Sequence, residues 1–134
     1  MARKMSYSGK YKISRKALNY AKWYSLNYPD WLEQYNSLKD SVRAISYDGM
    51  PTGKGQASDA TMKLATKRAE LRDKMLKVEH AASEAGGDIA EFILKSVIFE
   101  NMTFEDMKAI GLPCERTMFY ERRRKYYYLL SKEL

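Results

Sequence analysis

Three features of this 134-residue chain predict an all-α fold. Apolar residues recur at alternating steps of four and three in two stretches, Trp31 to Ile45 and Leu64 to Ala82, which is the spacing of a coiled-coil seam. After Gly86 the chain carries three more segments with apolar stripes at helical period, short breaks between them and capping residues at hand. Pro29, Gly86, Gly87, Gly111 and Pro113 fall between these stretches rather than inside them. The predicted arrangement is an N-terminal hairpin of antiparallel helices in residues 1–85, followed by a helix-turn-helix bundle in residues 86–134.

The chain begins with a basic arm. Arg3, Lys4, Lys10, Lys12, Arg15, Lys16 and Lys22 all precede the first acidic residue, Asp30. Ser14 can cap a first helix bearing Ala17, Leu18, Ala21, Trp23, Tyr24 and Leu26, which Pro29 is expected to end. Tyr20, Tyr24 and Tyr28 recur at four-residue steps, so they are expected to cover the hairpin from one face with their hydroxyls at the surface. Asp30 can open the second helix, with Trp31, Tyr35, Leu38, Val42 and Ile45 as its seam. The seam resumes at Leu64, Leu71, Met75, Val78 and Ala82, broadened by Met62, Ala65, Ala69 and Leu76 and interrupted by Arg68. Packing within one chain and a homodimer on the same seam both fit this pattern.

Residues 46–58 between the seams contain glycines and Lys54, and so invite comparison with a phosphate-binding loop. A Walker loop needs four residues between its first Gly and the Gly-Lys pair, then Ser or Thr. Gly49 and Gly53 enclose three, and Gly55 follows Lys54. The segment reads instead as a loop with Ser58 or Asp59 capping the next helix, or as a basic loop touching DNA or polymerase.

Beyond Gly86 and Gly87, Asp88 can cap a mostly buried helix bearing Ile89, Phe92, Ile93, Val97 and Ile98. Thr103 can cap the next, with Glu105 and Asp106 in its first turn and Phe104, Met107 and Ile110 as its buried stripe. Gly111 can take a left-handed conformation, and Pro113 keeps Leu112 out of helical geometry, so the chain turns within about four residues. The last helix is expected to begin near Cys114 or Glu115. Its packed face would be Phe119, Tyr126 and Leu130, flanked by Met118 and Leu129, with Arg122 at the edge. Glu115, Arg116, Thr117, Tyr120, Arg123 and Arg124 would point outward, toward a DNA major groove. Arg116, Thr117, Tyr120 and Arg124 are expected to discriminate bases, Arg by pairing bidentately with guanine and Thr by meeting a base edge or a thymine methyl, whereas Lys125 and the other arginines suit phosphates.

Net charge is +7 and the isoelectric point about 9.4, which favours a polyanionic partner, nucleic acid or an anionic surface. No apolar run resembles a secretion signal or spans a bilayer, so a cytosolic protein without membrane attachment is expected. One cysteine, Cys114, and one histidine, His80, leave no zinc cluster and no internal disulfide, and no cofactor or catalytic constellation stands out. The chain is therefore expected not to be an enzyme. Cys114 reads as a small residue at a helix start; a helix N-terminus can lower a thiol pKa, which leaves redox sensing as the alternative.

The tyrosine-rich first helix, the central Tyr47-Asp48-Gly49-Met50-Pro51 loop followed by Ser58-Asp59, and the terminal Thr103 to Leu130 unit resemble the ArpU/RinA-type phage and prophage transcriptional regulators. The terminal unit also resembles sigma-factor region 4. The resemblance implies a small helical cytosolic protein that binds double-stranded DNA at late-gene promoters and assists host RNA polymerase. It places Thr103 to Ile110 in the supporting helix, Gly111 to Pro113 in the turn and Glu115 to Tyr128 in the recognition helix. Such motifs commonly carry Ser or Thr at the recognition-helix cap, where this chain has Pro113-Cys114-Glu115. Two other readings remain: a DNA-packaging component similar to a small terminase subunit, whose DNA-binding unit usually comes first rather than last, and an adaptor binding a host protein through its basic surface.

Overall fold

The computed structural model describes the backbone of residues 11–49 and 59–134 and the side chains of residues 11–38 and 59–134. Arg3, Lys4 and Lys10 of the basic arm, and 50–58 of the central loop, lie outside the described residues. Six α-helices and one 3-10 turn make up the described chain, with no strand among the described residues. They are α1 (Arg15–Leu26), α2 (Tyr28–Gly49), α3 (Asp59–Gly86), the 3-10 turn Gly87–Ile89, α4 (Ala90–Ile98), α5 (Phe104–Ala109) and α6 (Arg116–Glu133). The fold is all-α, as the sequence predicts.

Local chemistry accounts for most of the boundaries. Ser14 caps α1, its hydroxyl accepting from the Ala17 amide at 3.1 Å. Asn27 ends α1, donating its side-chain amide to the Trp23 carbonyl at 2.8 Å. Pro29 does not end a helix: it sits in the first turn of α2, where its missing N–H would have had no intrahelical partner, so α2 starts two residues before Asp30. That helix runs on to Gly49, into the stretch expected to be loop. Gly87, at φ +58°, makes the left-handed break after α3. Asp88 does not cap α4. It falls in the 3-10 turn with its side chain largely exposed, and Ile89 occupies the cap position without a side-chain hydrogen bond.

The contacts divide the chain into two compact units: the described part of Met1–Tyr28 together with Lys77–Leu134, and Pro29–Leu76. This division differs from the expected cut between residues 85 and 86, because α1 packs on α4 and α6. In the first unit the core is assembled from five helices and the turns between them. Ala21 and Tyr24 of α1, Val78, Ala82 and Ala85 of α3, Ile93 and Val97 of α4, Met107 of α5 and Phe119, Tyr126 and Leu130 of α6 are all buried. A fully buried polar contact crosses it. The Ser25 hydroxyl donates to the Ala21 carbonyl at 2.8 Å, so in the 2.8 Å contact between Ser25 and Tyr126 the tyrosine is the donor. Burial drives the Tyr126 hydroxyl far above its ordinary pKa, which keeps that proton in place. The expected tyrosine face breaks up here: Tyr24 and Tyr28 are buried, Tyr20 is exposed, and the helix ends between the last two. Trp23, expected on the apolar stripe, is 56% exposed and stacks on Tyr20 with ring centroids 5.8 Å apart.

In the second unit Trp31, Leu71 and Met75 are the buried apolar side chains among those described. Arg68, the expected interruption of the seam, is accommodated by a ring: its guanidinium lies 4.4 Å from the Tyr35 centroid and donates to the Tyr35 hydroxyl at 2.8 Å. Lys74 sits 5.3 Å from the Trp31 centroid. Tyr35 meets Arg68 and Trp31 meets Lys74, so position falls along α2 as it rises along α3, and the two helices run antiparallel. Met62, Ala65, Ala69 and Leu76, expected to broaden the seam, are all exposed instead.

Candidate nucleic-acid interface

The geometry of the terminal unit is set by how α5 starts and stops. At its start, the Thr103 hydroxyl accepts from the Asp106 amide at 3.2 Å and the Asp106 carboxylate accepts from the Thr103 amide at 2.9 Å, a reciprocal capping box. At its end, Leu112 N–H donates to the Met107 carbonyl and Gly111 N–H to the Lys108 carbonyl, each at 3.0 Å, with Gly111 at φ +106°. This pair of bonds is a Schellman motif, and the two residues it brings together, Met107 and Leu112, are both buried. The motif turns the backbone by local bonds alone and points residues 113–115 toward a new helix. It also leaves Ile110, the expected third member of the buried stripe, 52% exposed at the cap.

Helix α6 begins at Arg116 with Glu115 as its N-cap, which fixes the register that the unusual Pro113-Cys114-Glu115 sequence leaves open. Glu115 makes no side-chain cap. Its packed face holds Phe119, Tyr126 and Leu130 as expected, and also Tyr127. Residues three and four apart share a helix face. Thr117, Glu121 and Arg124 therefore form the outward row, while Arg116, Tyr120, Arg123 and Tyr127 form a flank leading into the core.

Each candidate side chain has a definite setting. Glu115 and Thr117 are exposed. Thr117 lines a shallow open depression with Lys108, Pro113, Met118 and Glu121. Arg116 is exposed but engaged: it pairs with Glu105 at the start of α5, and its guanidinium lies 5.0 Å from the Phe104 centroid. A hydrogen bond from its own backbone amide, and then one from Arg116, hold the Glu105 carboxyl below its ordinary pKa. Tyr120 does not point away from the core. It is half-buried between Phe104 and Phe119, and its hydroxyl accepts from the Phe104 amide at 3.3 Å, satisfying a free donor at the α5 N-terminus.

The basic run resolves into four different roles. Arg122 donates to the Gly86 carbonyl at 2.6 Å, satisfying the C-terminal end of α3, and stands 3.9 Å from Asp88. Arg123 is half-buried, its guanidinium 5.4 Å from the Tyr120 centroid. Arg124 is half-buried on the outward row, with its Nε shut off from solvent and lacking a hydrogen-bond partner. Lys125 is half-buried with its ammonium 5.9 Å from the Tyr11 centroid.

Two acidic residues stand beside this surface. Glu121 lies four residues after Thr117 on the same row, a spacing visible in the sequence. Glu105 reads from sequence only as a helix-dipole partner, because its pairing with Arg116 depends on the fold of the turn.

Cys114 is half-buried, and burial pushes its thiol above the ordinary pKa, the opposite of what a reactive thiolate needs. His80 is exposed on α3, and the described residues hold no group of His, Cys, Asp and Glu suited to a metal ion. Among the described residues no helix is long and apolar enough to cross a membrane. No protein-family model matches this chain, and no curated protein and no solved structure matches it.

Proposed function

We propose that this chain is a sequence-specific double-stranded DNA-binding regulator of transcription, of phage or prophage type, acting in the bacterial cytoplasm at late-gene promoters together with host RNA polymerase. The observation that carries this reading is the α5–turn–α6 unit: a capped six-residue helix, a Schellman turn and a basic helix whose N-terminal turn is exposed. A helix presented in this way can enter a major groove with its first residues against base edges. Arg116 and Thr117 read bases, Arg124 and Lys125 contact phosphates, and the α2–α3 hairpin offers a surface for polymerase or a second copy.

Affinity then comes from phosphate contacts and specificity from the N-terminal turn of α6. Arg116→Ala is expected to cost roughly 1 to 3 kcal/mol on the cognate site and to relax base preference, while Lys125→Ala weakens all duplexes alike. Selection of a preferred sequence from random duplexes, followed by titration of both variants on selected and unselected DNA, checks this. Equal losses on both DNAs for both variants would overturn the assignment of Arg116 as a base reader.

A further inference from the structure

A cleft between α1, the end of α4 and α6 is lined by Lys22, Ser96, Glu100, Asn101, Arg123 and Tyr127 together with four apolar side chains. Two cations from helices about 100 residues apart in sequence meet here. Neither is a member of the ion pairs that Arg116 makes with Glu105 and Arg122 with Asp88. Glu100 lines the cleft and opposes an anion in it, but it is paired with neither cation and so does not neutralise them. The two cations sense each other, since Lys22 is held below its ordinary pKa by burial and then by the charge of Arg123.

The Nη1 of Arg123 is closed off from solvent and has no hydrogen-bond partner, although the faces of the guanidinium lie against the Tyr120 and Phe119 rings. Like charges lining one cleft are costly, and an oxyanion between them relieves that cost; because Nη1 is shut off from solvent, the rest of the Arg123 fork carries the contact. A tetrahedral phosphate suits the set, because it can accept from the fork of an arginine and from an ammonium at once. Burial also keeps the Tyr127 hydroxyl protonated, leaving it as a donor rather than a competing anion.

We propose that Lys22 and Arg123 together bind a phosphate group and, resting on the DNA-binding reading above, that this group belongs to the DNA backbone beside the groove that α6 enters. Arg123 lies seven residues after Arg116 on the same flank, about 10 Å along the helix axis. A phosphate held there would add α1 to the DNA-contacting surface and tie the register of α6 to it.

The test uses the full chain with Lys22→Gln, and Lys16→Gln as a control, an exposed lysine on α1 that does not line the cleft. Lys22 is only partly buried and Lys16 is exposed, and neither belongs to the core, so both variants should fold, which circular dichroism checks. Duplex affinity is measured across a salt series. Losing one phosphate contact lowers the slope of log affinity against log salt by about 0.9, or about eight-fold in affinity at 0.1 M salt. Lys22→Gln leaves Arg123 at the same phosphate, so it is expected to lower the slope by part of that amount and affinity by about two- to eight-fold at 0.1 M salt, while Lys16→Gln keeps the wild-type slope. An unchanged slope in Lys22→Gln, or an equal fall in the control, overturns the proposal while leaving DNA binding intact. If the wild-type chain shows no salt-dependent affinity for duplex DNA, the DNA-binding reading fails. The cleft is then tested with inorganic phosphate: a rise in melting temperature for the wild type but not for Lys22→Gln supports a site for free phosphate, and no rise in either overturns the phosphate site as well.

Discussion

The two halves of α6 share one helix and one basic composition but serve different ends. From Arg116 to Glu121 the helix exposes Arg116, Thr117 and Glu121, and contacts with α5 are made by Arg116 and by the Phe119 and Tyr120 rings. From Arg122 onward every residue to Ser131 is buried or half-buried, and the charges are fitted around Gly86, Tyr11 and the aromatic rings. The density of charge lies in the second half, whereas free presentation lies in the first. A basic run is therefore a poor guide to where base contacts are made: a guanidinium that satisfies a helix end is already used.

The largest expected effect tests the packed side of that comparison. Phe119 is fully buried and touches Phe104 and Tyr120, with ring centroids 5.9 and 5.0 Å away. Phe119→Ala is expected to destabilise the fold by about 3 to 5 kcal/mol, since the cavity cannot close without moving α5 off α6. Urea denaturation followed by circular dichroism measures it. A loss under about 1 kcal/mol would mean that α5 is held by its own capping box and turn rather than by α6.

A smaller effect separates the charges within the second half. Arg122→Met removes the donor to the Gly86 carbonyl but keeps most of the apolar stem. It is expected to cost about 1 to 2 kcal/mol of stability, toward the low end because the guanidinium is partly solvated. DNA affinity, measured well below the melting temperature, should be unchanged. A variant as stable as wild type that binds DNA several-fold more weakly would move Arg122 from the structural side of the comparison to the interface.

What the sequence made legible follows the same division. The caps at Ser14 and Thr103, the turn at Gly111 and the Phe119, Tyr126 and Leu130 face depend on residues close together in the chain, so spacing and side-chain chemistry reveal them. The Ser25 to Tyr126 hydrogen bond, the placing of α1 with α4 and α6, and the meeting of Lys22 with Arg123 depend on which neighbour fills each flank, and periodicity along one helix carries no such information. Asp88 and Ile110 show a subtler limit. Both obey their local rule, a capping residue after glycines and an apolar residue at helical spacing. The tight turns beside them start the next helix later than expected and stop the previous one sooner.

The smallest expected effect sharpens the exposed side. Under the proposed function Arg116 reads a base only by leaving Glu105, and both side chains are solvent-exposed, at 57% and 67%. An exposed ion pair is weak and screened by salt, so DNA can win that contest, but the competing carboxylate still lowers apparent affinity. Because its carboxyl lies below the ordinary pKa, Glu105 remains charged at neutral and mildly acidic pH, and the competition persists throughout that range. Glu105→Gln keeps the shape, removes the charge and frees Arg116. Affinity for the selected duplex is expected to rise by about two- to five-fold at low salt, the gain fading as ionic strength rises, with base preference retained. A titration at two salt concentrations decides it. If Glu105→Gln instead weakens binding and relaxes base preference as Arg116→Ala does, the carboxylate aims the guanidinium at its base rather than competing for it, and the ion pair belongs to the reading surface as one unit.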